Sequence, residues 1–203
     1  MQGNNNMKKC IFFDRDGIVN KSPGPGYVER WEDFHLMPDF PAVLRTVIEM
    51  GYEAVIVTNQ RGVARGIMTI ETLGEIHRKL KKLLARKHGL PLLDILYCPH
   101  GEWECECRKP KPGMLLEAAK RHDLDLKSSW MIGDSANDIE AGRRAGCRTI
   151  LVSDSRHETK ADFVVPDLKA LESLMKSMLV EEGQGAKSVE QGAGTGRAGR
   201  GKK

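Results

Sequence analysis

The sequence predicts an α/β fold built on a doubly wound parallel sheet, in one domain spanning residues 8–180. Three observations point there. Short apolar runs rich in β-branched residues alternate with amphipathic helical stretches from Lys9 to Met178, the order that builds parallel sheets. One run, Ala54-Val55-Ile56-Val57, is apolar throughout, as suits a strand covered on both faces. Three runs end in polar residues, at Asp14, Thr58 and Asp134, and open α/β sheets bind ligands beyond the carboxyl ends of their strands.

Lys9 to Phe13 is short, apolar and stopped by Asp14-Arg15-Asp16-Gly17. It reads as a buried strand that runs into a sharp turn at Gly17. Lys21 to Met37 holds Pro23-Gly24-Pro25-Gly26 and the aromatics Tyr27 and Trp31, and is expected to rim a site. Pro38 to Met50 reads as a helix with Pro41 in its first turn and one apolar stripe, Val43, Leu44, Val47 and Ile48; Gly51 closes it. Glu53 to Thr58 is the second strand. Thr69 caps a long helix whose buried face is read as Ile70, Leu73, Ile76, Leu80 and Leu83, with His77 and His88 on a solvated side. Gly89 ends it, and Leu92 to Tyr97 is the third strand.

Lys111 or Pro112 opens a helix through about His122, and Ser129 to Ile132 is the fourth strand. Ser135 caps a further helix that Gly146 terminates. Arg148 to Val152 and Phe163 to Val165 are the fifth and sixth strands. Asp167 caps a last helix carrying Leu168, Leu171, Leu174, Met175 and Met178. His157 is read as solvated and His35 as a residue near the site rim.

The chain has 203 residues, 40% hydrophobic and 30% charged, enough for one domain with a substantial core. No apolar run approaches the roughly 20 residues that span a bilayer, so a cytoplasmic protein without a membrane partner is expected. Residues 1–7 are polar, without a signal pattern. Residues 181–203 hold seven of the 21 glycines and little that is apolar. Both ends are expected to be disordered. The net charge is +4, and the tail carries half of it. The near-balanced body argues against a nucleic-acid partner, and a monomer is expected.

Four polar groups recur at strand or loop ends: Asp14 with Asp16, Thr58 with Asn59, Arg108 with Lys109, and Asp134 with Asp138. Singly each has a plain structural use. Asp14-Arg15-Asp16-Gly17 makes an acidic surface turn, Thr58-Asn59 a turn, Asp134 a cap and Lys109 a solvated charge. Their joint order along an alternating α/β chain argues for a shared site instead.

Here the chain resembles the haloacid dehalogenase-like phosphohydrolase superfamily. Asp14-Arg15-Asp16-Gly17, Thr58-Asn59-Gln60, Lys109-Pro110-Lys111-Pro112 and Gly133-Asp134-Ser135-Ala136-Asn137-Asp138 carry the resemblance. The superfamily's usual Thr after Asp-x-Asp-Gly is Ile18 here. The resemblance implies Asp14 as a nucleophile that forms an aspartyl-phosphate, with Asp16 as acid and then base. It implies Mg²⁺ held by Asp14, the Asp16 main-chain carbonyl and Asp134. Lys109 would balance the charge of Asp14 and the phosphate, Thr58 would bind phosphoryl oxygens, and Asp138 would support the metal shell or Lys109. The chemistry is coherent, since an anionic carboxylate attacks an anionic phosphate only when that charge is neutralised.

The five cysteines are Cys10, Cys98, Cys105, Cys107 and Cys147. Cys98, His100, Cys105 and Cys107 fall within ten residues. Three thiolates and one imidazole match a closed, structural tetrahedral Zn²⁺ site; a loop of reduced thiols without metal is the alternative. Cys10 and Cys147 have apolar neighbours and read as core thiols. The zinc loop runs directly into Arg108 and Lys109, so metal would hold both cations in place.

Cys98-Pro99-His100 with Cys105-Glu106-Cys107-Arg108-Lys109-Pro110 narrows the resemblance. It looks like the D-glycero-D-manno-heptose-1,7-bisphosphate 7-phosphatase family and the related histidinol-phosphate phosphatases. Gly26-Tyr27-Val28, Thr58 through Gly66 and Pro112-Gly113-Met114 favour the heptose family. That resemblance implies substrate contacts at Gly24, Pro25, Gly26, Tyr27, Thr58, Asn59, Gln60, Arg61, Arg108 and Lys109. Neither the segment from Ile18 to Asp39 nor that from Pro99 to Lys111 can house a cap domain, so a single capless domain with an open site is expected. A phosphorylated sugar is the expected partner. Histidinol phosphate, a nucleic-acid 3′-phosphate and a non-enzymatic zinc scaffold are the competing readings.

Overall fold

The computed structural model describes residues 7–154 and 158–178. Of the segments expected to be disordered, 1–7 and 181–203, residues 1–6 and 181–203 lie outside the described residues, as does His157. Six parallel strands form one sheet in the order β3-β2-β1-β4-β5-β6. They are β1 (Cys10–Phe13), β2 (Glu53–Asn59), β3 (Asp94–Cys98), β4 (Trp130–Gly133), β5 (Arg148–Val152) and β6 (Phe163–Val165). The helices are α1 (Phe40–Glu49), α2 (Ile70–Leu83), α3 (Gly113–His122), α4 (Ala136–Ala145) and α5, residues 168–178.

Strand periodicity sorts the side chains into two cores. Ile11 and Phe13 of β1, Ala54 and Ile56 of β2, and Trp130 and Ile132 of β4 face α1, α2 and α5. Cys10, Phe12, Val55, Val57 and Met131 face α3 and α4. Both faces are covered, which is why these strands read as continuous apolar runs. Phe13 meets Phe40 edge-on at 5.3 Å and ties β1 to α1. Helix α4 lies close on the sheet because Gly142 has no side chain; a Cβ there would come within 2.6 Å of Met131 Cβ.

Helix ends follow the local chemistry. Thr69 Oγ1 accepts from Thr72 N at 3.1 Å and starts α2. Asp167 Oδ1 accepts from Ala170 N at 2.8 Å at the start of α5. Helix α2 runs on into a π-turn, Leu84–His88, before Gly89 takes a left-handed φ of 68°. Two expectations for α2 need correction. Ile70 sits in its first turn and is exposed, while Leu83 is only half-buried. His77 is buried rather than solvated, because it faces a charged partner from β1's loop. No helix among the described residues is long and apolar enough to cross a membrane.

Candidate active site

The strand order changes direction at β1. From there β2 and β3 lie on one side, and β4, β5 and β6 on the other. That switch opens a crevice at the carboxyl ends of β1 and β4. Phe13 pairs with Ile132, and Asp14 N donates to Ile132 O at 2.9 Å. Asp14 therefore leaves β1 level with Gly133, and Asp134 follows on the neighbouring strand. Thr58 arrives at the same level from β2, and the loop after β3 delivers Lys109.

Lys109 Nζ spends all three of its donors inside the protein. It reaches Asp14 Oδ1 at 2.6 Å, Asp138 Oδ1 at 2.6 Å and Val57 O at 2.8 Å. Burial alone would lower the Lys109 pKa; Asp138 and Asp14 outweigh it and hold the ammonium above its ordinary value. Burial, against the pull of Lys109, pushes the Asp14 carboxyl up to about 7. Desolvation and then Asp138 raise Asp134 to about 6, while its outer edge stays open to solvent. Asp138 also accepts from the Ser135 backbone N at 3.1 Å and its hydroxyl at 2.6 Å. That side chain thus closes the first turn of α4 while pairing with Lys109.

Asp16 is wrapped by its own loop. Its carboxylate accepts from Arg15 Nε and Nη2, from Asn20 Nδ2 at 2.9 Å and from Gln60 Nε2 at 3.0 Å. Gln60 Nε2 also donates to Thr58 Oγ1 at 2.8 Å, so the Thr58 hydroxyl keeps its own proton to give. Arg15 is completely buried, and its Nη1 faces His77 Nε2 at 3.2 Å. Asn59 brackets the Lys109 backbone, with Nδ2 on Lys109 O and Oδ1 on Lys109 N, both at 3.0 Å. Asn59 and Gln60 were expected to touch substrate. The Asn59 side chain aligns the Lys109 backbone, and Gln60 Nε2 links Thr58 to Asp16, while Gln60 Oε1 is buried without a hydrogen-bond partner.

The oxygen donors suit a hard divalent cation. Asp14, Asp134 and Asp138 bring carboxylate oxygens within 4.8 Å of one another. With all three ionised, Lys109 offsets only one of these charges, so a bound cation would have two left to balance. Gly17 has a φ of 97°, and any side chain there would run into the Asp134 carboxylate. The turn after Asp16 thus leaves the space beside Asp134 to that carboxylate. Because Asp138 is committed to Lys109 and Ser135, Asp14 and Asp134 are the side chains free to hold such a cation.

Cys98, His100, Cys105 and Cys107 converge as a second cluster. Cys98 Sγ lies 3.4 Å from Cys105 Sγ and 3.7 Å from His100 Nδ1. Cys107 Sγ lies 3.2 Å from Cys105 Sγ and 3.4 Å from His100 Nδ1. Tetrahedral zinc with its usual bond lengths spaces such ligands by about 3.5–3.8 Å, so the four atoms fit that ion with small adjustments. The cluster is tied to the site by backbone. Gln60 N donates to Cys98 O at 2.8 Å, and Ala64 N donates to Pro99 O at 3.1 Å. Cys10 and Cys147 are buried in the core.

The rim comes from three loops and includes no cap domain. Between β1 and α1 there is only a 3-10 turn, Trp31–Asp33, as regular structure. Gly24, Pro25 and Gly26 are exposed, and Tyr27 packs over Gly62 with its hydroxyl 3.4 Å from Arg65 Nη1. Arg61 joins the 98–107 loop through Glu102 at 2.6 Å. Arg108 keeps a buried Nη1 without a hydrogen-bond partner. It lines a cleft of about 310 Å³ with Trp103, Lys109, Asn137 and Arg144. Trp103 is 87% exposed at a φ of 68°. His35 is exposed outside these contacts.

Sequence reasoning missed the roles of Arg15, Asn20 and His77. No pattern marks them, because a buried Arg and a solvated Arg look alike in a chain. The only hint lies in Arg15 itself, a cation flanked by two carboxylates.

Comparison with known proteins agrees with this geometry. A family model described as HAD-hydrolase-like matches residues 106–171. A Pseudomonas putida protein named D-glycero-beta-D-manno-heptose-1,7-bisphosphate 7-phosphatase is 35% identical over 160 residues, covering 78% of this chain and 90% of its own. The Pasteurella multocida protein of the same name is 37% identical over 185 residues, covering 85% and 99%. A crystal structure of D,D-heptose 1,7-bisphosphate phosphatase from B. bronchiseptica, complexed with magnesium and phosphate, superposes with a TM-score of 0.75. It is 32% identical and covers 84% of this chain and 99% of its own.

Proposed function

The chain belongs to the D-glycero-D-manno-heptose-1,7-bisphosphate 7-phosphatase family of haloacid dehalogenase-like phosphatases, and on that premise we propose that it removes the 7-phosphate of a heptose 1,7-bisphosphate through an aspartyl-phosphate at Asp14. The observation that carries the proposal is Asp14 itself, at the switch point of the sheet with Lys109 Nζ at 2.6 Å.

Asp14 and Asp134 side chains and the Asp16 main-chain carbonyl would hold Mg²⁺. When bound, the ion supplies the charge neutralisation that lets an anionic carboxylate approach an anionic ester. Asp14 attacks phosphorus, the ester P–O bond breaks, and Asp16 gives its proton to the departing sugar alkoxide. Asp16 then takes a proton from water, which attacks the acyl phosphate. Phosphate leaves and the Asp14 carboxylate is regenerated. Lys109 keeps Asp14 aimed and balances its charge throughout. The Thr58 hydroxyl is free to donate to a phosphoryl oxygen as charge shifts onto it.

Zinc at Cys98, His100, Cys105 and Cys107 would hold the loop that carries Arg108 and Lys109. Arg108, with an unpaired buried donor beside an open cleft, suits the second phosphate of a bisphosphate. Gly24 to Tyr27 and Arg61 stand at the rim where sugar hydroxyls would lie. Turnover of heptose 1,7-bisphosphate, histidinol phosphate and a 3′-phosphorylated oligonucleotide, each with Mg²⁺, tests the reading. The heptose bisphosphate should be preferred by at least tenfold in kcat/KM, and equal or better turnover of either competitor would overturn it.

A further inference from the structure

We infer that His77 of α2 is a positioning residue that acts on Asp16 through Arg15. The inference rests on the proposed role of Asp16 as the acid that protonates the leaving group.

The contacts form an unbroken chain. Arg15 Nε and Nη2 fork the Asp16 carboxylate, with Nη2 on Oδ1 at 3.0 Å and on Oδ2 at 2.9 Å. The opposite corner of the guanidinium, Nη1, meets His77 Nε2 at 3.2 Å. A guanidinium is a rigid plane that only donates. Fixing one corner therefore fixes the direction of the fork. Arginine offers no acceptor, so His77 Nε2 must accept, and its proton sits on Nδ1. Burial and then Arg15 hold the imidazole neutral, which keeps that lone pair available.

His77 is itself constrained. It is 6% exposed, and its ring lies 5.5 Å from the Tyr97 ring of β3. Buried and bonded to Arg15, His77 acts on the site through that guanidinium. Arg15 is fully buried, and without the imidazole its Nη1 would lose the acceptor it meets there. The guanidinium would then turn to recover a partner, and the carboxylate it holds would turn with it. Asn20 and Gln60 also hold Asp16, so the fork's orientation would loosen without releasing the carboxylate.

The test compares two substrates on the full-length, metal-loaded protein. Heptose 1,7-bisphosphate releases its sugar as an alkoxide that needs a proton; p-nitrophenyl phosphate releases a phenolate that does not. Rapid-quench measurement of alcohol or phenolate release isolates aspartyl-phosphate formation. His77→Phe fills the ring's space without an acceptor. It should slow this step about tenfold or more for the heptose substrate and less than threefold for the aryl ester, with KM little changed. His77→Gln, whose side-chain carbonyl can accept from Arg15, should recover the rate to within about threefold. Asp16→Asn serves as the reference and should show the same discrimination, more strongly.

If Asp16→Asn slows both substrates equally, the role of Asp16 and this inference fall together. If Asp16→Asn discriminates while His77→Phe does not, or His77→Gln fails to recover the rate, the inference alone is overturned. Should His77→Phe not fold, His77→Ala with imidazole in solution replaces it. Recovery of heptose-substrate turnover by imidazole is then the expected result, and its absence the contrary one.

Discussion

Lys109 Nζ and Asp14 Oδ1 stand 2.6 Å apart, both side chains buried, and Asn59 holds the Lys109 backbone from both sides. The pair is thus oriented before any substrate arrives. Removing one member of a buried ion pair leaves an uncompensated charge, which commonly costs about 3–5 kcal/mol. Lys109→Met should therefore lower both the melting temperature and kcat, the latter by about 10²–10³-fold. Asn59→Ala keeps the charges but frees the backbone. It should lower kcat about tenfold with KM nearly unchanged; steady-state kinetics showing mainly a KM effect would mean that Asn59 touches substrate instead.

The 98–107 loop, proposed to hold zinc, is coupled to the same pair through its sequence neighbours. Cys107 lies two residues before Lys109, and Lys111 Nζ donates to Cys105 O at 2.9 Å. Cys107→Ser should lose zinc and reduce kcat on the order of 10²-fold, as expected for a displacement of about 1 Å in a positioned group. Added Mg²⁺ should not restore it. Metal content measured beside kinetics decides this, and a zinc-free variant with full activity would disprove the coupling.

His77 makes an acid-side contribution to stability. Burial holds its folded pKa near about 3, against 6.5 ordinarily. Below pH 6.5 the unfolded chain binds a proton that the folded protein refuses. Stability present above pH 6.5 is then lost progressively as pH falls towards 3, by about 2–3 kcal/mol near pH 4.5. His77→Gln should flatten that part of the stability profile in urea titrations between pH 7 and 4.5. An unchanged slope would place the imidazole in contact with solvent.

Asp14 has the opposite sign. Its folded pKa is raised to about 7 in the metal-free protein. Its protonation favours the fold fully below pH 4, and that contribution is lost as pH rises through 7. Added Mg²⁺ binds the ionised form, so it should raise the melting temperature little at pH 5 and by several degrees at pH 8. Equal shifts at both values would show that the ion binds away from Asp14.

The strands and the carboxylates were legible because each obeys a local rule. Ala54-Val55-Ile56-Val57 announces a strand covered on both faces, and Asp14, Thr58 and Asp134 mark strand ends whatever the loops do. Cys98, His100, Cys105 and Cys107 were legible as ligands because they sit within ten residues. What could not be read depends on contacts between distant segments. His77 meets Arg15 across 62 positions; it reads as solvated because its helix is rich in charge, although its spacing from Leu73 and Leu80 puts it on the buried face. Ile70 fits the apolar stripe of α2 but lies in the first turn, beyond the edge of the core. The place of Asn59 and Gln60 at a strand end is visible in the sequence, whereas the direction of their side chains is set by Lys109 and Asp16.

The account turns on Asp14 as the atom that receives the phosphoryl group. Rapid acid quench during turnover, followed by borohydride reduction, converts an aspartyl-phosphate into the homoserine side chain. Peptide mass mapping then identifies the position. The account predicts homoserine at position 14 in the active protein, none in Asp14→Asn, and loss of turnover in that variant with the fold retained. Reduction at another carboxylate, or activity in Asp14→Asn within tenfold of the unsubstituted protein, would contradict it.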